Sequence, residues 1–301
     1  MAELQTALAP SAPSGARRKG FLAFCALVAA LIALLALAPL RATASHDGER
    51  AAADPDRRVA STRGAATEPQ PVVEPAEPTT SRLDRLVAAG LPIRCGAGTR
   101  PLVALTFDDG PGVLTPDALH LLRERGMTAT FFLAGKLLDE ARFQGLPAAA
   151  ARLGALGDHS WDHVSMLGLS ADELEAQIAR TRRAIAAQTG ERVVPFRPPL
   201  GQHDERVRDY VRSLGMLTVL WSVESGDSQG VSADRIYRTV RDSLSPGDIV
   251  LLHDNRGTTQ EALPRILDLI EARGYTTVTV PQLLALDPPT HEQLREGTCP
   301  A

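Results

Sequence analysis

From residue 102 onward, short apolar runs alternate with segments that have the pattern of helices. Among the helix signals are two capping boxes, Ser170 with Glu173 and Thr258 with Glu261. This alternation predicts a parallel sheet covered by helices, and six or more such units favour a barrel over an open sheet. We therefore predict an α/β fold, a distorted (β/α) barrel, with its chemistry at the carboxyl ends of the strands. The runs that predict buried strands are residues 102–107, 128–133, 193–196, 216–221, 249–253 and 275–280.

An uncharged apolar run occupies residues 21–40, directly after Arg17, Arg18 and Lys19. Twenty helical residues at about 1.5 Å each would span the ~30 Å hydrocarbon core of a bilayer. The preceding positive charge predicts a short cytoplasmic segment at residues 1–20 and export of the remainder. Two interpretations stay open: an uncleaved single-pass transmembrane anchor, which the length favours, or a signal peptide cut after the small residues 42–44 and a secreted product.

The region after the apolar run is predicted to be a linker. Residues 41–81 are rich in Ala, Pro, Glu, Arg and Thr and have almost no aromatic residues. Such a segment buries too little apolar surface to offset its ordering entropy, so we predict a disordered linker. The folded domain is then residues 82–301.

Charge and cysteine content restrict the partners and the compartment. The net charge is −4, and no basic run occurs beyond residues 17–19, so the concentrated basic face that nucleic acid needs is missing. Cys25 lies inside the apolar run, whereas Cys95 and Cys299 flank the alternating region. Export would place those two where disulfides persist, and we hypothesise that they pair. Two unrelated thiols are the alternative.

Two adjacent carboxylates end the first predicted strand. Asp108 and Asp109 precede a Gly-Pro turn, and neighbouring side chains there cannot both point the same way, so they can take different roles. Such a string is by itself most often only a turn.

Two histidines form the second polar cluster. His159 and His163 are four residues apart, a spacing that would place both imidazoles on one side of a helical turn. With a carboxylate from the first strand they make a three-residue ligand set, which leaves coordination positions for water and substrate. The zinc-protease motif is excluded, because Ser160 stands where that motif needs glutamate.

Three more polar segments follow predicted strands. Arg197 offers a fixed charge for a bidentate contact with a carboxylate, and a surface salt bridge is its ordinary alternative. Residues 221–227 contain Trp221 and Asp227, and the apolar strand at 249–253 ends in His253. All five clusters fall at carboxyl ends of strands, where a parallel barrel places its active site.

These five segments resemble, in order, the five motifs of the polysaccharide deacetylase family, the NodB homology domain of carbohydrate esterase family four. The resemblance covers roughly residues 100–286 and implies a distorted barrel of the NodB type. It also implies a metal-dependent hydrolase that removes N-acetyl groups from a cell-wall or extracellular glycan, such as peptidoglycan or chitin. The implied cofactor is a divalent metal, with zinc as first choice and cobalt, nickel or manganese as alternatives.

The resemblance assigns roles to individual residues. The metal ligands would be Asp109, His159 and His163. Metal-bound water would attack the acetyl carbonyl, with Asp108 as the general base and His253 as the general acid.

The remaining roles support that chemistry. Arg197 would position the base, and Asp227 would orient and tune the catalytic histidine. The backbone N–H near Leu200 would help to hold the oxyanion. Trp221 would form a wall of the substrate groove, and Leu251 would line the pocket for the acetyl methyl.

The sequence departs from the family pattern in three places. Leu200 and Ser228 stand where the family has a tyrosine and a frequent tryptophan, and residues 154–157 are one residue short. None of these changes removes a ligand or a proton-transfer group, so we expect them to alter specificity more than activity.

Two alternatives to N-deacetylation stay open at this stage. The same site could serve an O-acetyl esterase that acts on acetylated xylan, or the domain could be an inactive, anchored glycan-binding module. We expect a monomer whose partners are a polysaccharide and, through the apolar run, the membrane.

Overall fold

The computed structural model describes residues 79–300, with side chains from residue 82 onward. The predicted cytoplasmic segment, the apolar run and nearly all of the predicted linker lie outside these residues. Within the described part, no helix combines the length and apolar character needed to cross a bilayer.

Short strands alternate with helices along the described chain. The strands are β1 (Leu102–Gly110), β2 (Thr130–Leu133), β3 (Ala155–Asp158), β4 (Pro195–Phe196), β5 (Leu217–Thr218), β6 (Val223–Glu224), β7 (Ile249–His253) and β8 (Thr276–Thr277). The helices are α1 (Thr79–Ala89), α2 (Thr115–Glu124), α3 (Leu146–Leu153), α4 (Ala171–Leu174), α5 (Arg180–Thr189), α6 (Glu205–Ser213), α7 (Ala233–Ser243), α8 (Gly257–Ala272), α9 (Val280–Leu286) and α10 (His291–Glu296). A π-helical turn at Glu175–Ala179 joins α4 to α5.

All pairings between these strands are parallel, in the order β5-β4-β3-β2-β1-β7-β6, and β8 pairs with the start of β1. The predicted α/β class and parallel sheet are therefore confirmed. The sheet curls into a half-barrel, and within residues 79–300 its two ends, β5 and β6, do not pair with each other.

The first strand is buried on both faces, as a central strand of a covered parallel sheet should be. Val103, Leu105 and Phe107 pack into the larger core cluster beneath the outer helices. Leu102 and Ala104 point the other way, into a smaller cluster that includes residues of α9. Packing on both sides fixes where the acidic end of this strand lies.

Several local predictions were wrong. β3 was missed because alanine and glycine have low strand propensity. Gly157 is nonetheless required in β3, since a Cβ there would lie 2.3 Å from the Phe132 ring. The capping box at Ser170 is confirmed, but α8 begins at Gly257, so Thr258 is not its cap. The last residues of the predicted linker belong to α1.

The two ends of the domain are joined covalently. Cys95 and Cys299 form a disulfide, which confirms the hypothesised pairing. Near it, Asp287 accepts hydrogen bonds from the backbone and side chain of Thr99. These contacts hold the segment before β1 against the segment that follows α9.

Candidate metal and catalytic site

The carboxyl ends of four strands bring the predicted residues together. Asp108 at the end of β1 lies in register with His253 at the end of β7. On the other side of β1, Leu133 of β2 pairs with Asp158 of β3, which in turn pairs with Phe196 of β4. His159 and Arg197 are the next residues after those last two. Parallel pairing alone therefore places four distant segments at one edge of the sheet.

Asp108 and Arg197 form a buried ion pair inside the curled sheet. Arg197 Nη1 donates to Asp108 Oδ1 at 2.7 Å and also to Thr106 Oγ1 at 2.8 Å. Its Nη2 donates to the Leu220 carbonyl at 2.9 Å, and the guanidinium lies 4.1 Å from the centre of the Phe132 ring. Arg197 has no exposed surface, so the predicted alternative of a surface salt bridge is excluded.

His159, His163 and Asp109 meet at one point beside this ion pair. Asp109 Oδ1 lies 3.5 Å from His159 Nε2 and 3.3 Å from His163 Nε2. His159 Nδ1 lies 2.8 Å from the Arg197 carbonyl. Because a carbonyl oxygen only accepts, that nitrogen carries the proton and Nε2 keeps its lone pair. Burial lowers the pKa of His159, which favours the neutral ring that a metal requires.

The two histidines lie on a loop after β3 and not on the predicted helical turn. Their rings still approach to 5.0 Å between centroids, because the loop folds through left-handed backbone. Within the described residues, the non-glycine positions with positive φ are Asp109 (67°), Ser160 (63°), His163 (58°) and Leu200 (59°). All of them belong to the predicted motifs, which is where strained backbone is expected at a functional site.

The residues present fit a divalent metal ion. Ligand atoms of Asp109, His159 and His163 all lie within 4.8 Å of one another. Asp109 Oδ1 is buried and has no hydrogen-bond partner within residues 82–300. A buried carboxylate oxygen without a partner is costly, and a cation between the three ligand atoms would remove that cost. Two imidazoles and one carboxylate are a normal set for a catalytic transition metal.

His253 is held by Asp227 on the opposite side of Asp108. Its Nδ1 lies 2.8 Å from Asp227 Oδ1, and its backbone N–H donates to Asp227 Oδ2 at 2.7 Å. Thr259 also donates to Asp227, a partner that the sequence analysis missed. Burial lowers the pKa of His253, but the Asp227 hydrogen bond and the charges of Asp227, Asp108 and Asp109 outweigh it and leave that pKa raised.

A cavity of about 470 Å³ opens above these groups. Leu200 lies at the edge of the cavity, in the turn Pro199–Gly201, with 67% of its surface exposed. Trp221 packs against Gly201 of that turn. The hydrogen bonds of that turn use the N–H groups of Gly201 and Gln202, and the Leu200 N–H has no acceptor among the described residues. The predicted residues that line the cavity are Asp108, Asp109, His159, His163, Leu200, Trp221, Leu251 and His253.

Arg197 and Asp227 do not line the cavity but lie directly behind Asp108 and His253. The sequence analysis missed Arg256, which also lines the cavity. Its position in the chain, three residues after His253 in a loop that follows a strand, was the available signal.

Comparison with known proteins identifies the family of this chain. Residues 96–219 match the polysaccharide deacetylase family. A peptidoglycan-N-acetylglucosamine deacetylase of Listeria monocytogenes is 34% identical over 189 residues, which are 62% of this chain and 40% of that protein. The chain thus spans less than half the length of that relative.

Two further relatives are matched over more of their length. A chitooligosaccharide deacetylase of Sinorhizobium fredii is 32% identical over 204 residues, which cover 63% of this chain and 94% of that protein. The crystal structure of a CE4 family pseudoenzyme from Bacillus anthracis superposes with a TM-score of 0.61 at 30% identity, covering 66% of this chain and 69% of that one. This chain belongs to the polysaccharide deacetylase family.

Proposed function

We propose that this protein is a metal-dependent N-deacetylase of a cell-wall or extracellular glycan, of the peptidoglycan or chitin type. One observation carries the proposal: Asp108, His253 and the Asp109, His159 and His163 cluster all line one cavity. A glycan-binding module has no use for a base and an acid beside a metal site. The relatives named as peptidoglycan and chitooligosaccharide deacetylases favour nitrogen-linked acetyl groups as the substrate.

In this proposal, Asp109, His159 and His163 hold the metal. A bound divalent ion would lower the pKa of a water molecule and polarise the substrate carbonyl. Asp108 accepts the proton of the attacking water. The Arg197 hydrogen bond fixes the direction of the Asp108 carboxylate. Each such proton transfer typically contributes about 10²–10⁴ in rate.

His253 donates a proton to the departing nitrogen. The contact between its Nδ1 and Asp227 leaves Nε2 as the donor to the substrate, and the raised pKa of His253 favours the protonated ring that a general acid needs. The Leu200 N–H is available to hold the carbonyl oxygen as negative charge develops on it. Trp221 and Leu251 then form the walls against which the sugar and the acetyl methyl pack.

We further propose that the protein acts outside the cytoplasm, since its relatives named as peptidoglycan deacetylases act on a cell-wall polymer. Anchoring or secretion through residues 21–40 stays a prediction from the sequence, because those residues lie outside the described part of the chain.

Acetate release from a panel of glycans tests the proposal. We expect the metal-loaded protein to release acetate from N-acetylated peptidoglycan or chitooligosaccharide, to stop when a chelator is added, and to resume when zinc or cobalt is restored. Release from acetylated xylan alone would favour the O-acetyl esterase. Glycan binding without any acetate release under metal-replete conditions would refute catalysis and favour a glycan-binding module.

A further inference from the structure

The loop that carries both candidate histidine ligands is irregular, so its backbone N–H groups need partners other than a helix or sheet ladder. Two of them are satisfied within the loop. Ser160 N–H donates to Asp158 Oδ1 at 2.8 Å, and His163 N–H donates to Ser160 Oγ at 3.1 Å. The N–H groups of Trp161 and Asp162 lie between these, directly before His163.

Gln177 supplies the hydrogen-bond partners of the Trp161 and Asp162 N–H groups. Its side-chain oxygen Oε1 accepts from the Trp161 N–H at 3.1 Å and from the Asp162 N–H at 2.9 Å. Its amide nitrogen Nε2 donates to Asp162 Oδ2 at 3.0 Å. One side chain from another element therefore makes three hydrogen bonds to two consecutive loop residues.

The element that carries Gln177 is itself unusual. Gln177 is the central residue of the π-helical turn at Glu175–Ala179, and such turns occur mostly as single insertions in helices, often at functional sites. Thr181, one turn further on, donates its hydroxyl to the Gln177 carbonyl. A local change of helical pitch thus occurs at the residue whose side chain makes three hydrogen bonds to the ligand loop.

We propose that Gln177 is a positioning residue for the metal centre. It sets the backbone immediately before His163 so that the His163 ring meets Asp109 and His159. This inference rests on the proposed metal site, and it assigns Gln177 no contact with substrate or metal. Ligand orientation by surrounding hydrogen bonds normally changes metal affinity by about 10- to 100-fold.

The loop has other supports, so Gln177 is not needed to keep it folded. Gly135 N–H donates to the Ser160 carbonyl at 2.9 Å, and Lys136 N–H donates to the Trp161 carbonyl at 3.0 Å. The Arg180 guanidinium lies 3.5 Å from the centre of the Trp161 ring. Removal of the Gln177 amide should therefore loosen the ligand geometry and leave the fold intact.

The test is metal affinity of the metal-stripped full-length protein, measured by competition between the protein and a chromophoric chelator for Zn²⁺ and for Co²⁺. Gln177→Ala should weaken both affinities by about 10- to 100-fold. Gln188→Ala is the matched control, because Gln188 lies on the adjoining α5 and donates to the Leu138 carbonyl at 2.9 Å, away from the ligand loop. It should change either affinity by less than about threefold.

A charge-swapped pair tests the geometry directly. Gln177→Glu keeps an oxygen that accepts from the Trp161 and Asp162 N–H groups, but its second carboxylate oxygen then faces the Asp162 carboxylate and repels it. Adding Asp162→Asn places an amide donor opposite that second oxygen. The Gln177→Glu single variant should bind metal weakly, and the double variant should recover most of the wild-type affinity. Thermal unfolding in chelator identifies any variant that fails to fold.

Two outcomes would overturn the inference, and they are distinguishable. A wild-type protein that binds neither ion would refute the proposed metal site and this inference with it. A wild-type protein that binds metal, together with a folded Gln177→Ala variant of equal affinity, would refute only the role of Gln177.

Discussion

At the residue scale, Asp108 and Asp109 are neighbours in the chain that differ in their hydrogen bonding. The Asp108 carboxylate accepts from the buried Arg197, whereas Asp109 Oδ1 faces two histidine nitrogens without a hydrogen bond. The positive φ of Asp109 turns its side chain away from the direction that the strand would give it. Regular strand alternation would send Asp109 to the face opposite Asp108, whereas both carboxylates lie within 3.7 Å of His159 Nε2.

We predict that Asp108→Asn retains the metal and loses activity by about 10²–10⁴, because an amide cannot accept the proton from water. Acetate release and metal content per chain check this. His159→Ala is the contrasting variant, which should lose the metal itself. Full activity in Asp108→Asn, or unchanged metal content in His159→Ala, would contradict the assigned roles.

The raised pKa of His253 makes a prediction about pH dependence. A general acid works only while protonated, so kcat/KM should fall as pH rises through that pKa, above the usual 6.5. Asp227→Asn removes a negative charge that favours the protonated ring, so the alkaline limb of the profile should move to lower pH. Thr259→Val, which keeps the Asp227 charge, should move it less. An alkaline limb at the same pH in Asp227→Asn would argue against His253 as the acid.

At the element scale, the chain passes from α3 into β3 through a single residue, Gly154, and only glycine fits there. A Cβ on Gly154 would lie 1.9 Å from the Ala129 carbonyl oxygen. Ala155 N–H donates to that same oxygen at 3.1 Å, as β3 begins to pair with β2. The chain thus enters β3 through a position with no room for a side chain.

Gly154→Ala should therefore destabilise the fold by about 1–3 kcal/mol, since the clash is with backbone and not with a flexible side chain. Gly257→Ala is the control, because a Cβ there meets nothing within 4 Å and alanine favours a helix. It should be neutral or slightly stabilising. Urea unfolding midpoints measure both, and equal midpoints would show that β3 shifts to accommodate the methyl group.

At the scale of the whole molecule, the disulfide closes a loop of nearly the entire domain. Cys95 and Cys299 are 204 residues apart in sequence. A cross-link of that length restricts the unfolded chain strongly, and removal of such a bond typically costs about 2–5 kcal/mol.

The double variant Cys95→Ser with Cys299→Ser should lose about that much stability, and wild type in reductant should unfold at the same urea concentration as the variant. Metal affinity should change little, because the bond joins the segment before β1 to the segment after α10 and lies away from the ligand loop in the sequence. Identical unfolding of oxidised and reduced wild type would contradict a stabilising role.

The sequence alone determined the alternation of elements, the parallel sheet and the side chains that the strand ends would bring together. These are local signals: apolar runs set the strands, and parallel strands present their carboxyl ends at one edge. For this reason Asp108, Asp109 and His253 could be placed at one edge of the sheet, whereas His159 and His163 were assigned to the same site from their spacing and from the family resemblance. β3 could not be found, since its alanine and glycine carry no strand signal by themselves.

Tertiary structure decided how those side chains are held. The burial of Arg197, the proton on His159 Nδ1 and the hydrogen bond from Thr259 each depend on a partner 32 to 89 residues away. The two histidines converge through a loop to which Gln177 makes three hydrogen bonds. The spacing of residues within the loop gives no sign of these hydrogen bonds. Local pattern specifies which chemical groups reach an edge of the sheet, whereas their orientation and protonation are set by long-range contacts that exist only once the chain has folded.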